Sequence, residues 1–318
     1  MPTEIYNSIE EEIQALKRKR NAVILAHNYQ VGEIQDIADF TGDSLGLAQQ
    51  AQKVDAQVIV FSGVLFMAET VSILCPDKTV LVPDLDAGCS LASMIRPEDV
   101  RKWKAEHPQG VVVAYVNTTA AVKAEADYCC TSSNAVRVVE KIPADREVLF
   151  IPDFYLGSYV QMKTGRKNMT LWKGYCHVHV MIKSERLAQL KKEHAKAELI
   201  MHPECGCLTK SMQYADQVLS TEGMAQYVRQ SKAPEFIVAT ETGILHKMRK
   251  ENPQKAFIPA TEQAVCNYMK QNTLEKIVLS LERMQYEVKV PDPIRKRALL
   301  PIERMLEISS NGKSHDKS

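Results

Sequence analysis

The chain has 318 residues, forty Lys and Arg against thirty-nine Asp and Glu, and a formal charge of +1; 45% of it is hydrophobic and 25% charged. Such a composition makes a soluble, core-forming protein of two or three domains and argues against a nucleic-acid binder that works by neutralising phosphates. No apolar run reaches the ~20 residues of a membrane span, and the first six residues, Met-Pro-Thr-Glu-Ile-Tyr, lack the basic-then-apolar pattern of an export signal. The sequence therefore predicts a cytoplasmic protein, in which the eight cysteines are thiols or metal ligands rather than disulfides.

In chain order, short apolar runs at 23–25, 58–60, 80–82 and 111–113 read as buried strands of a parallel sheet. Amphipathic stretches with helix-start signals separate them. Asp43-Ser44 precedes 45–53, Pro97 opens a charged stretch to His107, and Ser132-Ser133 precedes 134–141. The class is α/β, with helices expected on both faces of each sheet.

Three sets of similar strand ends recur. The first is Ala26-His27-Asn28-Tyr29, Ala114-Tyr115-Val116-Asn117 and Met201-His202-Pro203-Glu204. The second runs through small hydroxyl residues or glycine into a helix: Phe61-Ser62-Gly63, Thr131-Ser132-Ser133 and Ser220-Thr221-Glu222-Gly223. The third reads Val80-Leu81-Val82-Pro83-Asp84, Leu149-Phe150-Ile151-Pro152-Asp153 and Ala256-Phe257-Ile258-Pro259-Ala260, each followed by a cysteine, Cys89, Cys176 and Cys266. Self-similarity at a fixed period marks repeated structural units. The reading is three pseudo-threefold-related αβα three-layer modules around a central cluster site. Their expected bounds are 1–91, 92–178 and 179–266, with 267–308 packing back onto the first and 309–318 a disordered tail.

Ligands of open α/β sheets sit beyond the carboxyl ends of the strands. The pairs His27/Tyr29, Tyr115/Asn117 and His202/Glu204 are spaced i, i+2, which puts both side chains on one face of an extended segment. Ser44, Ser132 and Thr221 stand at helix starts, where backbone N–H groups suit carboxylate or phosphate; each could equally be an N-cap. The cysteines contain no C-x-x-C pair, and Cys205-Gly-Cys207 and Cys129-Cys130 read as buried small residues. Three separated cysteines that converge would suit a cluster of four irons with one iron left open to substrate.

The stretches A-H-N-Y-Q (26–30), D-S-L-G-L-A (43–48), F-M-A-E-T (66–70), A-G-C-S-L-A (87–92), Y-V-N-T-T-A-A-V-K-A (115–124) and C-T-S-S-N-A (130–135) resemble the quinolinate synthase family. So do P-D-F-Y-L-G (152–157), W-K-G-Y-C-H-V-H (172–179), H-P-E-C (202–205), S-T-E-G-M (220–224), A-T-E-T-G (239–243) and C-N-Y-M (266–269), so that the resemblance runs in order over roughly 20–290. It implies condensation of iminoaspartate with dihydroxyacetone phosphate to quinolinate, a precursor of NAD, on three homologous αβα domains around one 4Fe–4S cluster. By motif the cluster ligands fall on Cys89, Cys176 and Cys266, leaving one iron open as a Lewis acid. The substrate-contacting positions fall on His27, Tyr29, Ser44, Tyr115, Asn117, Ser132, His179, His202, Glu204 and Thr221. Among these, Glu204, Tyr29, Tyr115 and His202 are assigned the catalytic work. The implied partners are the two small-molecule substrates and the enzyme that supplies iminoaspartate, with no nucleic acid and no membrane. Some members carry extra cysteines just before the last ligand; here Thr261-Glu262-Gln263-Ala264-Val265 stands there, which excludes a local disulfide. Two other classes stay open at this point: another iron–sulfur hydro-lyase on the same scaffold, and a non-catalytic iron–sulfur sensor.

Overall fold

A computed structural model describes residues 6–311. Helix and strand alternate without exception through three rounds. The first comprises α1 (Ile9–Arg20), β1 (Ala22–His27), α2 (Gly32–Ile37), β2 (Phe40–Gly42), α3 (Ser44–Lys53), β3 (Val58–Ser62), α4 (Leu65–Leu74) and β4 (Thr79–Leu81). The second comprises α5 (Pro97–Glu106), β5 (Val111–Tyr115), α6 (Ala120–Lys123), β6 (Tyr128–Cys130), α7 (Ala135–Glu140), β7 (Val148–Ile151), α8 (Phe154–Thr164) and β8 (Met169–Leu171). The third comprises α9 (Ser184–Glu193), β9 (Glu198–Met201), α10 (Leu208–Ser211), β10 (Gln217–Val218), α11 (Thr221–Gln230), β11 (Glu235–Ala239), α12 (Ile244–Glu251) and β12 (Ala256–Pro259). Helices α13 (Leu274–Arg283) and α14 (Asp292–Asn311) follow. No helix among the described residues is long and apolar enough to cross a membrane.

Each round builds one four-stranded parallel sheet with the same strand order, second–first–third–fourth. The central strands β3, β5 and β7 are buried along their whole length, which is why they read as unbroken Val/Ile/Leu/Phe runs. The class expected from the sequence, α/β with parallel sheets flanked by helices, is what forms.

A polar device recurs with the sheets. Asp39, Asp127 and Asp216 each precede the second strand, and their carboxylates accept from the first-strand N–H groups of Ile24, Val112 and Leu199 at 2.7, 2.8 and 2.7 Å. A lysine from the preceding helix closes each pair: Lys17–Asp39 at 2.7 Å, Lys104–Asp127 at 3.0 Å and Lys191–Asp216 at 3.1 Å. Each carboxylate thus satisfies a sheet donor that the short second strand does not reach.

Two features of the repeat differ from the sequence expectation. The first-round counterpart of Thr131-Ser132-Ser133 is Gly42-Asp43-Ser44 after β2, because β2, β6 and β10 share the second-strand place and Phe61-Ser62-Gly63 follows a third strand. Likewise Leu149–Asp153 belongs to β7, a third strand, whereas β4 and β12 are fourth strands matched by β8. The three cysteines therefore follow the fourth strand of each sheet.

The described chain groups into two compact units: the stretch up to Gly88 with Cys266–Val290, and Cys89–Val265 with the stretch from Pro291 on. In the first unit Ile13 and Leu16 of α1, Ile24 and Ala26 of β1, and Ile277 and Leu281 of α13 share one core. Full burial of a side chain of this size contributes about 1.5–3 kcal/mol. Tyr286 and Val288 run antiparallel along β4, exchanging backbone bonds with Val82 and Val80, and so cover a sheet edge.

The expected return of 267–308 to the first module is divided at Val290. α13 joins the first unit, whereas α14 packs on α6, β6 and α7 of the second. The reason is polar as well as apolar: Arg304 donates to the Asp127 carbonyl at 2.7 Å, and Arg297 pairs with Glu125 at 2.7 Å. The expected tail also begins too early. Ser309 is buried inside α14 and accepts from Asn134 Nδ2 at 2.7 Å; residues 312–318 lie outside the described residues.

Asp127→Ala leaves the buried Val112 N–H without its acceptor and is expected to cost about 1–3 kcal/mol, whereas Lys104→Ala breaks a half-exposed ion pair and costs under about 1 kcal/mol. Denaturant midpoints of the two variants check this; equal losses would make the ion pair, not the N–H bond, the stabilising feature.

Candidate active site

The polar pairs follow the first strand of each sheet, and the hydroxyl residues follow the second. Sheet register aligns His27 with Gly42 and Tyr115 with Cys130; in the third sheet Met201 aligns with Val218, one residue short of His202. Ser44, Ser132 and Thr221 thus stand two residues beyond the partners of His27, Tyr115 and His202. They are not the caps of their helices. Asp43 caps α3 through Gly46 N–H at 2.8 Å, and Ser220 caps α11 through Gly223 N–H at 3.2 Å. Before α7, Asn134 occupies the cap position with no side-chain cap bond; its Oδ1 turns back to Thr131 N–H at 2.7 Å. The structure separates the two roles the sequence left combined.

In the first unit the His27 and Tyr29 rings meet edge to face with centroids 4.7 Å apart, and Tyr29 N–H donates to His27 Nδ1 at 3.1 Å. Both residues are buried. The Lys270 ammonium, four residues past Cys266, donates to the Tyr29 carbonyl, so the Cys266 turn is fastened to the end of β1. Ser44 opens α3 and is half-buried.

The second unit holds the remaining predicted residues, and five of them meet. Glu204 is 3% exposed. Its Oε2 lies 3.1 Å from His179 Nδ1 and 3.4 Å from His202 Nδ1, while Asn117 Nδ2 donates to Oε1 at 3.4 Å. The Tyr115 side chain also hydrogen-bonds to the carboxyl. The His179 and His202 rings stack, with centroids 4.9 Å apart. Glu204 N–H donates to His202 Nδ1 at 3.4 Å, repeating the bond at His27; the ring hydrogen then sits on Nε2, facing Ser132 Oγ at 3.2 Å. Thr221, 3% exposed, opens α11.

Burial governs the protonation states. It pushes the Glu204 carboxyl well above the usual carboxylate range, the nearby Asp153 charge adds to the shift, and the bond from Tyr115 opposes it. Burial raises Asp153 to about 7 against the pull of the Leu156, Tyr155 and Cys176 backbone N–H groups. His179 falls to about 3, mainly through burial and then through His177. Burial thus disfavours the charged form of both groups, so the 3.1 Å approach of His179 Nδ1 to Glu204 Oε2 is a close contact rather than an ion pair, and it lacks hydrogen-bond geometry.

Three cysteine turns share one local geometry. Short 3-10 helices at Ala92–Met94, His179–Met181 and Met269–Gln271 begin three residues after Cys89, Cys176 and Cys266. In each turn the cysteine carbonyl accepts from the N–H four residues on: Ser93 at 3.3 Å, Val180 at 3.2 Å and Lys270 at 3.2 Å. These three are partly exposed, while Cys75, Cys129, Cys130, Cys205 and Cys207 are buried. Ser90 Oγ and His177 Nδ1, each next to a cysteine, lie 2.7 Å apart. Gly174 lets the second turn pass the end of β7, since a Cβ there would lie 2.3 Å from the Pro152 carbonyl oxygen. Cys176, His179 and Glu204 bring one ligand atom each to within 4.8 Å of one another.

Four polar residues of this surround escape a reading of the sequence alone: Asp153, Thr240, Ser90 and His177. Thr240 was within reach, because β11 pairs with β9 and its next residue falls beside His202. Its Oγ1 lies 2.9 Å from His179 Nε2.

Comparison with known proteins agrees with this geometry. Residues 11–307 match the family model described as quinolinate synthetase A protein. The chain is 55% identical over 303 residues to a quinolinate synthase of Thermus thermophilus, covering 95% of this chain and 97% of that protein. It is 52% identical over 307 residues to one of Pyrobaculum aerophilum, covering 95% and 100% respectively. A solved E-1-hydroxy-2-methyl-but-2-enyl-4-diphosphate reductase from Plasmodium falciparum matches at 12% identity and a TM-score of 0.37, over 87% of this chain and 94% of that one; this likeness is too distant to add to the assignment. With matches of this identity running nearly end to end, the chain belongs to the quinolinate synthetase A family.

Proposed function

We propose that the chain is a quinolinate synthase that condenses iminoaspartate with dihydroxyacetone phosphate, cyclises the product and dehydrates it to quinolinate, releasing phosphate and water with no net redox change. The observation that carries this reading is the meeting of Cys176, His179 and Glu204: an acid–base carboxyl held against a soft-metal donor inside a buried polar group. Cys89, Cys176 and Cys266 are the ligands of a 4Fe–4S cluster. Three thiol donors in matching turns, with the other five cysteines buried, fit that group. When bound, the cluster supplies an open iron as a Lewis acid for substrate oxygen.

The chain's own residues supply the rest. Glu204 gives and takes the proton, since it is a carboxyl whose neutral form burial favours. His202 holds Glu204 through its backbone and faces Ser132, and Asn117 steadies the second oxygen. Tyr115, bonded to the same carboxyl, relays a proton to it, and Tyr29 performs the like task from the end of β1. A phenol of ordinary pKa ~10 donates at neutral pH but needs a neighbouring base to abstract. Ser44, Ser132 and Thr221 grip carboxylate or phosphate oxygens, and His27 and His179 orient the substrate.

A second reading also draws on the meeting of Cys176, His179 and Glu204, a trio that could hold a single zinc ion. That trio uses one of the three cysteines that stand in matching turns, so the iron–sulfur reading, which uses all three, is preferred.

Anaerobically purified protein is expected to be brown, to contain iron and sulfide, and to lose activity in air. Alanine at Cys89, Cys176 or Cys266 should collapse both iron content and the visible spectrum, while alanine at Cys75, Cys129, Cys130 or Cys207 should leave the spectrum in place; Cys205, beside Glu204, should affect activity without removing iron. Zinc in the active protein, or iron that depends on Cys205 or Cys207 and not on Cys266, would overturn the assignment.

Glu204→Gln keeps the shape and removes the exchangeable proton. Turnover should fall by about 10²–10⁴-fold with the cluster still assembled. Tyr115→Phe should slow the reaction less and let an intermediate accumulate, as seen by anaerobic quench of single turnovers. Near wild-type turnover in the Gln variant would return Glu204 to a structural role.

A further inference from the structure

The residue after the cysteine holds the same place in each turn: Ser90 after Cys89, His177 after Cys176 and Asn267 after Cys266. Two of these side chains meet across 87 residues of sequence, with Ser90 Oγ 2.7 Å from His177 Nδ1. Further contacts tie the same two segments. Trp172 Nε1 donates to the Met94 carbonyl at 2.9 Å, and the Tyr175 N–H reaches Met94 Sδ at 3.3 Å. Leu91 is fully buried, and its Cδ1 lies 3.3 Å from where a Cβ on Gly174 would stand, so the glycine lets the two turns approach. The Cys176 segment is itself fixed to the end of β7, since Phe154 N–H donates to the Gly174 carbonyl at 2.8 Å. Cys89 accordingly groups with the second unit, although β4 before it belongs to the first.

We infer that Ser90 and His177 are positioning residues for the iron–sulfur cluster: their hydrogen bond clasps the Cys89 and Cys176 turns and holds the two thiols together as a preformed part of the site. The inference rests on Cys89 and Cys176 being cluster ligands. Two thiols so far apart in sequence bind one metal group well only when the fold has already borne the cost of ordering them. A hydrogen-bonding partner beside each ligand fixes the turn that carries it, and loss of such a partner costs metal affinity. The clasp does not depend on which ring nitrogen of His177 carries the hydrogen. A serine hydroxyl donates to a bare Nδ1 and accepts from Nδ1–H, so the bond forms in either tautomer. It also stands apart from the bond of Trp172 to Met94, which anchors the far end of the first turn. Alanine at Ser90 or phenylalanine at His177 therefore leaves the turns docked at Met94 and frees them beside the cysteines.

The test uses full-length protein with Ser90→Ala and His177→Phe, singly and together, and His177→Asn, whose side-chain amide puts a polar group near the place of Nδ1. In anaerobically loaded protein, loss of iron to excess EDTA is followed by the fading of the visible spectrum. Each single variant should lose iron about tenfold faster than wild type, and His177→Asn should recover most of the difference. The double variant should be no faster than either single one, because both remove the same bond. Iron-free protein treated with o-phenylenedimaleimide reads the clasp without metal. The Cys89–Cys176 cross-link, measured by mass spectrometry of the peptides, should form more slowly in both single variants and return toward wild type in His177→Asn. If His177→Phe is insoluble, His177→Leu takes its place. Wild-type iron loss in the single variants, effects that multiply in the double variant, or faster iron loss with unchanged cross-linking would each overturn the inference. Cys89→Ala run alongside separates the levels. If it keeps its iron, the reading of the ligands falls and this inference with it; if it loses its iron while Ser90→Ala behaves as wild type, the inference about the clasp alone fails.

Discussion

The buried carboxyl of Glu204 is the group on which the site depends. A carboxylate moved out of water without compensation costs several kcal/mol, so a glutamate this buried must be neutral, or paired, or both. Here burial raises the carboxyl and lowers the imidazole, and the two meet as neutral partners at 3.1 Å. Asn117 and Tyr115 hydrogen-bond to the carboxyl, and His202 accepts from the Glu204 backbone N–H.

What holds those partners in place is far from the chemistry. Each sheet keeps its first strand in register with a short second strand through an aspartate that borrows a first-strand N–H and is itself met by a lysine. The half-exposed lysine pairs Lys104–Asp127 and Lys191–Asp216 contribute little by themselves, under about 1 kcal/mol each; the buried N–H bond is the costly one to lose. The same strands carry His27, Tyr115 and His202 at their far ends, so an error in register would move all three pairs. A one-residue slip would turn each pair to the opposite face of its segment.

Much of this was legible in the sequence, because parallel strands buried on both faces appear as short apolar runs. Polar residues spaced i, i+2 just past such a run share one face, and such a pair follows the first strand of each sheet. The three cysteines stood out by their place in the repeat. Misreadings arose where local similarity competed with strand order. Val80–Asp84 and Leu149–Asp153 look alike but occupy the fourth and third places of their sheets. Thr240 was missed because its partner His179 is 61 residues away and no local pattern joins them. The end of the chain misled through composition alone: a small polar Ser309 reads as tail, yet it is buried against Asn134 across 175 residues of sequence.

A fold repeated three times along the chain still carries an asymmetric set of side chains, and the positions that repeat show where the asymmetry enters. A hydroxyl follows the second strand in all three rounds, at Ser44, Ser132 and Thr221, and a cysteine follows the fourth in all three, at Cys89, Cys176 and Cys266. Those are positions whose functional group, a hydroxyl or a thiol, is the same in each round. The positions after the first strand differ: His27 with Tyr29, Tyr115 with Asn117, His202 with Glu204. Of those six side chains one is a carboxyl. The round that carries it also supplies Thr240, and the second round lends Tyr115, Asn117 and Asp153. The repeated backbone thus provides three equivalent strand ends, and the side chains after the first strand, rather than the fold, decide which one carries the buried carboxyl.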